Sequence, residues 1–196
     1  MPALEPHRID LGDVVLRPFV ASDEPAVALA LQDPGILRWT AGTAVISSPA
    51  DKRARRWLEP RIDGWARGNA IFAIADAETD QVIGNVALRD VHRVPDQAVA
   101  AYWVSPLARG RRLGARALDA AARWAFTSGL RLHRISLDHS LVNEGSCHVA
   151  LRAGFQLEGV MRDYYVEVTG QRHDSHLHAR LATDPAPYLG TQPAGS

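Results

Sequence analysis

Between Tyr102 and Ala115 the chain leaves an apolar strand pattern, crosses a short basic loop and enters a run with helical spacing: Tyr102-Trp103-Val104-Ser105-Pro106-Leu107-Ala108-Arg109-Gly110-Arg111-Arg112-Leu113-Gly114-Ala115. No other segment constrains the fold as strongly. A strand that feeds directly into a helix lays that helix against the sheet holding the strand. The junction is also built for phosphate. Loop amides and the unpaired N–H groups of a first helical turn converge on an anion, and Arg109, Arg111, Arg112 and Arg116 add positive charge. A Rossmann loop would need Gly-x-Gly-x-x-Gly and a P-loop would need Gly-Lys-Ser or Gly-Lys-Thr; neither is present, so a diphosphate carrier other than NAD or ATP is expected.

The flanking segments supply the rest of the sheet. Val14 to Pro18 reads as a strand, and Ser22 or Asp23 caps the helix that follows. A second helix is expected from Ser48, with Pro49 in its first turn, through Trp57 and Ile62 to Gly68. Ala70 to Ala75, Val82 to Val91 and Ala98 to Val104 form an antiparallel meander. From Leu113 the residues Ala117, Leu118, Ala121, Ala122, Trp124 and Ala125 recur at spacings of three and four, an amphipathic helix ending at Gly129. A strand at His133 to Leu137, a short helix at Ser146 to Ala153 and a closing hairpin, Phe155 to Val168 with His173 to Leu181 around Gly170, complete the domain. The fold class is α+β: a twisted, mostly antiparallel mixed sheet of about six to seven strands with about four helices. At 196 residues and 46% hydrophobic content one domain is expected, residues 8–182, with a loose tail over 183–196.

Charge and cysteine usage narrow the partners. Lys plus Arg and Asp plus Glu number 22 each, so no global positive field draws nucleic acid or an anionic membrane, and neither is expected as a partner. The run Lys52-Arg53-Ala54-Arg55-Arg56 is read as the solvated side of a helix opposite Trp57 and Leu58. Cys147 is the only cysteine, which rules out an intrachain disulfide and a Cys-based zinc cage and favours a reducing cytoplasm. The first residues carry no secretory pattern, and no charge-free run reaches the roughly 18 residues of a membrane helix. His173-x-x-His176-x-His178 beside Asp174 is read as a polar strand face near a cleft, with no metal expected.

Leu16-Arg17-Pro18 with Asp23, Val82-Ile83-Gly84, Tyr102 to Pro106, the arginine-rich loop, Asn143-x-x-Ser146-x-x-Val149, Gly154-Phe155 and Glu158-Gly159 together resemble the GNAT superfamily of acyl-CoA-dependent N-acyltransferases, in its RimJ/RimL-like branch of ribosomal-protein N-acetyltransferases. The resemblance spans about residues 8 to 182. It implies the GNAT fold, splayed between the fourth and fifth expected strands, and acetyl-CoA as cosubstrate. The pyrophosphate would lie on Arg109, Gly110, Arg111, Arg112, Leu113, Gly114 and Ala115, and the pantetheine and thioester oxygen on backbone amides near Trp103 and Val104. Asn143 and Ser146 would also contact the cofactor. Arg112 stands where the family usually has glycine. Positive φ would cost an arginine about 1 kcal/mol or more, so ordinary dihedrals are expected there, with the guanidinium on phosphate.

The implied reaction is attack of a neutral primary amine, a protein N-terminal α-amine or a small amino compound, on the thioester in a ternary complex. Common family handles are missing: Ala150 stands in place of a tyrosine acid, Val99 in place of a glutamate, and Tyr165 in place of the branch's hairpin glutamate. Ser146 is therefore the acid candidate. The base lies among His139, Asp138 and, more remotely, His176, with His139 favoured. Trp39, Trp57 and Trp65 are core residues or walls of the acceptor cleft. Rival readings are a different acyl group, such as succinyl, and a CoA-binding module without efficient chemistry. Relatives in this family are often dimers, so a homodimer is a further expectation, although no residue pattern marks an interface.

Overall fold

The structure, a computed structural model, describes residues 3–92, 95–127 and 130–187. In chain order the elements are β1 (Ile9–Asp10), β2 (Val14–Pro18), α1 (Glu24–Ala30), α2 (Pro34–Thr40), α3 (Thr43–Ile46), α4 (Ala50–Ile62), β3 (Ala70–Asp76), β4 (Val82–His92), β5 (Gln97–Val104), α5 (Leu113–Thr127), β6 (Arg134–Ser140), α6 (Glu144–Arg152), β7 (Gln156–Val166) and β8 (Arg172–Leu181). One eight-stranded sheet runs in the order β1-β2-β3-β4-β5-β6-β8-β7. Its pairs are antiparallel except for β5 with β6.

The fold class is the expected one, with more elements than the sequence suggested. β1 pairs through only two residues, too few for an alternation to register. Pro34-Gly35 and Gly42 read as breakers, yet each opens a helix. Pro34 occupies the first turn of α2, where the missing N–H costs nothing, and the Asp33 carboxylate accepts the Ile36 N–H at 2.8 Å. Gly42, at φ +76°, turns the chain into α3. The helix expected from Ser48 to Gly68 is shorter: Pro49 is its N-cap and Ile62 its last residue. The expected helix end at Gly129 and the tail from residue 188 onward lie outside the described residues.

Helices cover both faces of the sheet, so the central strand β3 is buried along nearly its whole length. On one face α5 lays Leu118, Ala121 and Ala122 against Phe72, Leu88, Ile135 and Phe155. On the other, α1 to α4 bring Val27, Ile36, Trp57 and Leu58 against Ala73, Ala87 and Trp103. In α4 the buried Ala54, Trp57 and Leu58 recur at three and four residues, and Lys52, Arg55 and Arg56 are exposed. Two sequence pieces acquire a physical reason. Arg17, on β2, grips Asp23 with two bonds of 3.0 and 2.9 Å in a buried pair that fixes the entry to α1. Gly84 sits where a Cβ would lie 2.8 Å from the Trp103 carbonyl oxygen, so any side chain would push β4 from β5.

Candidate active site

β5 and β6 pair only from Gln97 to Val99, against Arg134 to Ser136. Beyond that point β6 stays on β8 as far as Ser140, while Ala100 to Val104 continue along β4. The two strands therefore part, and one edge of β5 is left open. The antiparallel register decides which groups face the gap. The Ser105 N–H donates to Ile83 O at 2.8 Å, so, counting by twos, Trp103 pairs with Asn85, and the main-chain groups of Tyr102 and Val104 point into the opening. The Val104 backbone thus faces the gap. Trp103 gives its backbone to β4 instead, and its indole packs on that of Trp57, with centroids 5.7 Å apart. Both indole Nε1 atoms are buried with no hydrogen-bond partner.

The open edge leads into the basic loop. Gly110 has φ +83° and Arg112 φ +56°, which corrects the expectation of ordinary dihedrals at Arg112. The reason is local: two left-handed residues so close together turn the chain from the loop into α5, and the fold holds Arg112 there against the roughly 1 kcal/mol that an arginine pays for positive φ. Arg116 N–H donates to Arg112 O at 3.1 Å, so Leu113, Gly114 and Ala115 begin α5 with amides that have no acceptor inside the helix. The side chains of Leu113 and Ala115 belong to the core, leaving only their amides for a ligand. Arg109 and Arg111 are exposed and hold Asp33 and Asp13 at 2.9 and 3.0 Å. Arg116 also binds Asp13. Arg116, helped by Arg111, pulls the Asp13 carboxyl down to about 2, so it stays ionised and engages both guanidinium groups.

Ser146 lies in the first turn of α6, near the gap. The helix starts two residues earlier than expected, at Glu144, with Asn143 as N-cap; Ser146 is therefore not the cap, and the Asn143 side chain does not cap either. The Ser146 hydroxyl is buried and accepts a hydrogen bond from Tyr102 Oη at 3.1 Å. Burial pushes the Tyr102 phenol up to about 12, so it stays protonated. Tyr102 had been read only as part of a strand motif, and its contact with Ser146 joins residues 44 positions apart.

A cavity of about 570 Å³ opens beside this edge, with Ala101, Trp103, Asp138, Asn143 and Ser146 among its lining. Trp39 and Tyr165, whose rings meet at a tilt with centroids 5.3 Å apart, also line it, and Trp57 forms part of its wall. Trp65 lies in the core, against Phe72. Arg61 lies over the Trp57 ring at 3.6 Å and makes no ion pair among the described residues; burial, then Arg89, lowers it to about 10. Asp138 faces the cavity, and burial raises its carboxyl above the ordinary range, partly offset by Arg89.

His139, one residue on, sends its ring nitrogens elsewhere: Nδ1 to Ser140 O at 2.9 Å and Nε2 to within 3.2 Å of His178 Nε2. Burial holds both imidazoles below their usual range. His176 also joins this group, from the position opposite His139. His173 instead pairs with Glu167 near Tyr165. Ala150 and Val99, the two replaced handles, are respectively fully buried and half-buried. No helix among the described residues is long and apolar enough to cross a membrane.

Known proteins share this architecture. The chain is 32% identical over 114 residues to the probable N-acetyltransferase YjcK of Bacillus subtilis (strain 168), an alignment covering 58% of this chain and 62% of that protein. Among solved structures, the ribosomal-protein-S5-alanine acetyltransferase of Vibrio fischeri superposes with a TM-score of 0.75 at 20% identity, over 92% of this chain and 100% of the other. A ribosomal L7/L12 alpha-N-protein acetyltransferase in complex with coenzyme A gives 0.75 at 18% identity, over 89% and 98%. Residues 13–156, which hold the splayed strands, the arginine-rich loop and α6, match the acetyltransferase (GNAT) domain. A parallel pair that separates after three residues, next to a loop feeding a helix, is thus accounted for by descent as well as by geometry: this chain belongs to the GNAT acetyltransferase family.

Proposed function

We propose that this protein transfers an acetyl group from acetyl-CoA to a primary amine by direct attack in a ternary complex. The observation that carries the reading is the open edge of β5, which runs from the cavity to the amide-lined loop before α5. An extended pantetheine arm lies along that edge as an added strand, hydrogen-bonded to the backbone of Tyr102 and Val104. The diphosphate occupies the concavity formed by Arg109 to Ala115, and Asn143 and Ser146 flank the thioester end. The amine nitrogen forms its bond to the acyl carbon as the carbon–sulfur bond breaks. Asp138 accepts the amine's proton. Ser146 protonates the departing thiolate, with the Tyr102 hydroxyl hydrogen-bonded behind it. His139, favoured as base from sequence, is replaced by Asp138 because its nitrogens are engaged with Ser140 and His178.

Release of free thiol from acetyl-CoA and succinyl-CoA against a panel of amines tests the reaction; CoA binding without turnover on any amine would favour the binding module. Neutralising Arg109, Arg111 and Arg112 together is expected to weaken CoA far more than acetyl-pantetheine, which lacks the diphosphate. Equal losses for the two ligands would contradict the loop assignment.

Arg61 adds a preference among acceptors. Its charge lies in the cavity wall over the Trp57 ring, with no ion pair among the described residues, an arrangement that suits an amine bearing a carboxylate or phosphate. Such acceptors are expected to exceed their uncharged analogues in kcat/KM by roughly 10- to 100-fold, the value of one charge-assisted contact. Arg61→Gln should erase the difference, and an unchanged preference in that variant would remove Arg61 from acceptor recognition.

A further inference from the structure

Beneath the first turn of α6, the structure brings His139, Cys147, His176 and His178 together so that one ligand atom from each lies within 4.8 Å of every other. We propose that these four residues form a tetrahedral zinc site. It stands independently of the proposed reaction. The cluster is non-local: His139 comes from β6, His176 sits opposite it on β8, His178 follows two residues later, and Cys147 descends from α6. A lone cysteine excludes a cage of several thiolates, but three imidazoles and one thiolate still make a complete zinc donor set.

Hydrogen bonding at the cluster points to a cation. Carbonyl oxygens only accept, so the contacts of His139 Nδ1 with Ser140 O at 2.9 Å and His178 Nδ1 with Phe155 O at 3.4 Å place each ring proton on Nδ1. Each Nε2 then carries a bare lone pair. These lone pairs meet at 3.2 Å, an arrangement that repels without a positive charge between them. Two nitrogens on one tetrahedral zinc lie about 3.3–3.4 Å apart, given bonds of roughly 2.0–2.1 Å. The same carbonyl contacts are the outer-shell bonds that orient metal-binding histidines. Cys147 Sγ is 3.9 Å from His178 Nε2, a little beyond the roughly 3.5 Å expected for sulfur and nitrogen on one zinc, so a small rotation closes the shell.

Two further observations agree. His139 and His178 are 6% and 0% exposed, too buried for the nitrogens to be satisfied by bulk water. His176 Nδ1 is buried with no hydrogen-bond partner. On binding, the Cys147 thiol loses its proton to solvent and the imidazoles coordinate as neutral bases. Four protein ligands leave no open position, so the metal is structural. It ties the turn that carries Ser146 to β6 and β8.

The experiment uses the full chain, stripped with a chelator and desalted. Zn(II) is titrated in by calorimetry and Co(II) by absorption. The expected result is one saturable equivalent of Zn(II), and a Co(II) complex with intense tetrahedral d–d bands and a thiolate charge-transfer band. At Zn(II) a hundredfold above Kd, Tm should rise by roughly 5–10 °C. Cys147→Ser should abolish the charge-transfer band and weaken Zn(II) by more than the roughly 10–100-fold cost of an outer-shell change. His148→Ala, an exposed neighbour on α6, should alter neither. The proposal is overturned if folded wild type shows no saturable Zn(II) binding. It is equally overturned if the Co(II) spectrum is six-coordinate and unchanged by Cys147→Ser.

Discussion

Asp119→Ala is expected to destabilise the protein by about 3–5 kcal/mol, a fall in Tm of roughly 6–20 °C for a domain of this size, because it leaves a buried cation unpaired. Arg180 is 3% exposed and Asp119 4%. Arg180 donates to Asp119 Oδ1 at 2.8 Å and to Ala153 O at 3.0 Å, while its Nε, also buried, has no partner. The pair therefore joins three elements: α5, which begins at the arginine-rich loop; the end of α6, which carries Ser146; and β8. Arg123, one turn along α5, also reaches Asp119 at 3.0 Å, but it is largely exposed and cannot neutralise Arg180. A double change, Asp119→Leu with Arg180→Met, removes both charges and should recover most of the lost stability, since replacing a whole buried pair with apolar groups is often neutral. Thermal or urea unfolding of the two variants beside the wild type provides the check. A loss below about 1 kcal/mol in Asp119→Ala would show that Arg180 finds another way to discharge its burial cost.

The β3-β4-β5 meander, the β5-to-α5 junction and the closing hairpin could be read from the chain because each depends on periodicity and turn chemistry within a few residues. What escaped was set by contacts distant in sequence. The cost of a side chain argues against positive φ at Arg112, but the turn from the loop into α5 imposes it. The sequence favours His139 over its neighbour Asp138 as the base at the end of one strand. Both line the cavity, but the His139 ring nitrogens are engaged with Ser140 O and His178 Nε2, and only the placement of β8 reveals that second contact. His176 and His178 did announce themselves by their spacing of two. Their partners did not, because Cys147 lies 31 residues from His178 and meets it only after α6 folds over β6. The Tyr102 contact with Ser146 was hidden in the same way, although a strand tyrosine before a cofactor loop was a fair signal to follow.

Asp138→Asn is expected to lower kcat/KM for amine acetylation by about 100-fold at neutral pH, the lower end of what a positioned base contributes. The asparagine keeps the size of the side chain, so the cavity should survive and binding of acetyl-CoA, through backbone groups on the open edge of β5, should be nearly unchanged. The defect should depend on pH in a direction set by the acceptor. Below the amine's own pKa most of it is protonated, and the enzyme must remove that proton before the nitrogen can attack. As pH rises through that pKa the free amine accumulates and the missing base matters less, so the gap between variant and wild type should close. A protein N-terminus, with an α-amino pKa near 7.7–8.0, should close it well before an aliphatic amine with a pKa near 10.4. Ser146→Ala should behave differently. It removes the proton donor for a thiolate whose free pKa is about 8.5, so its defect should be smaller and should not track the acceptor's pKa. A loss in Asp138→Asn that stays constant across pH for acceptors of different basicity would assign the carboxylate to positioning the amine and leave proton removal to water.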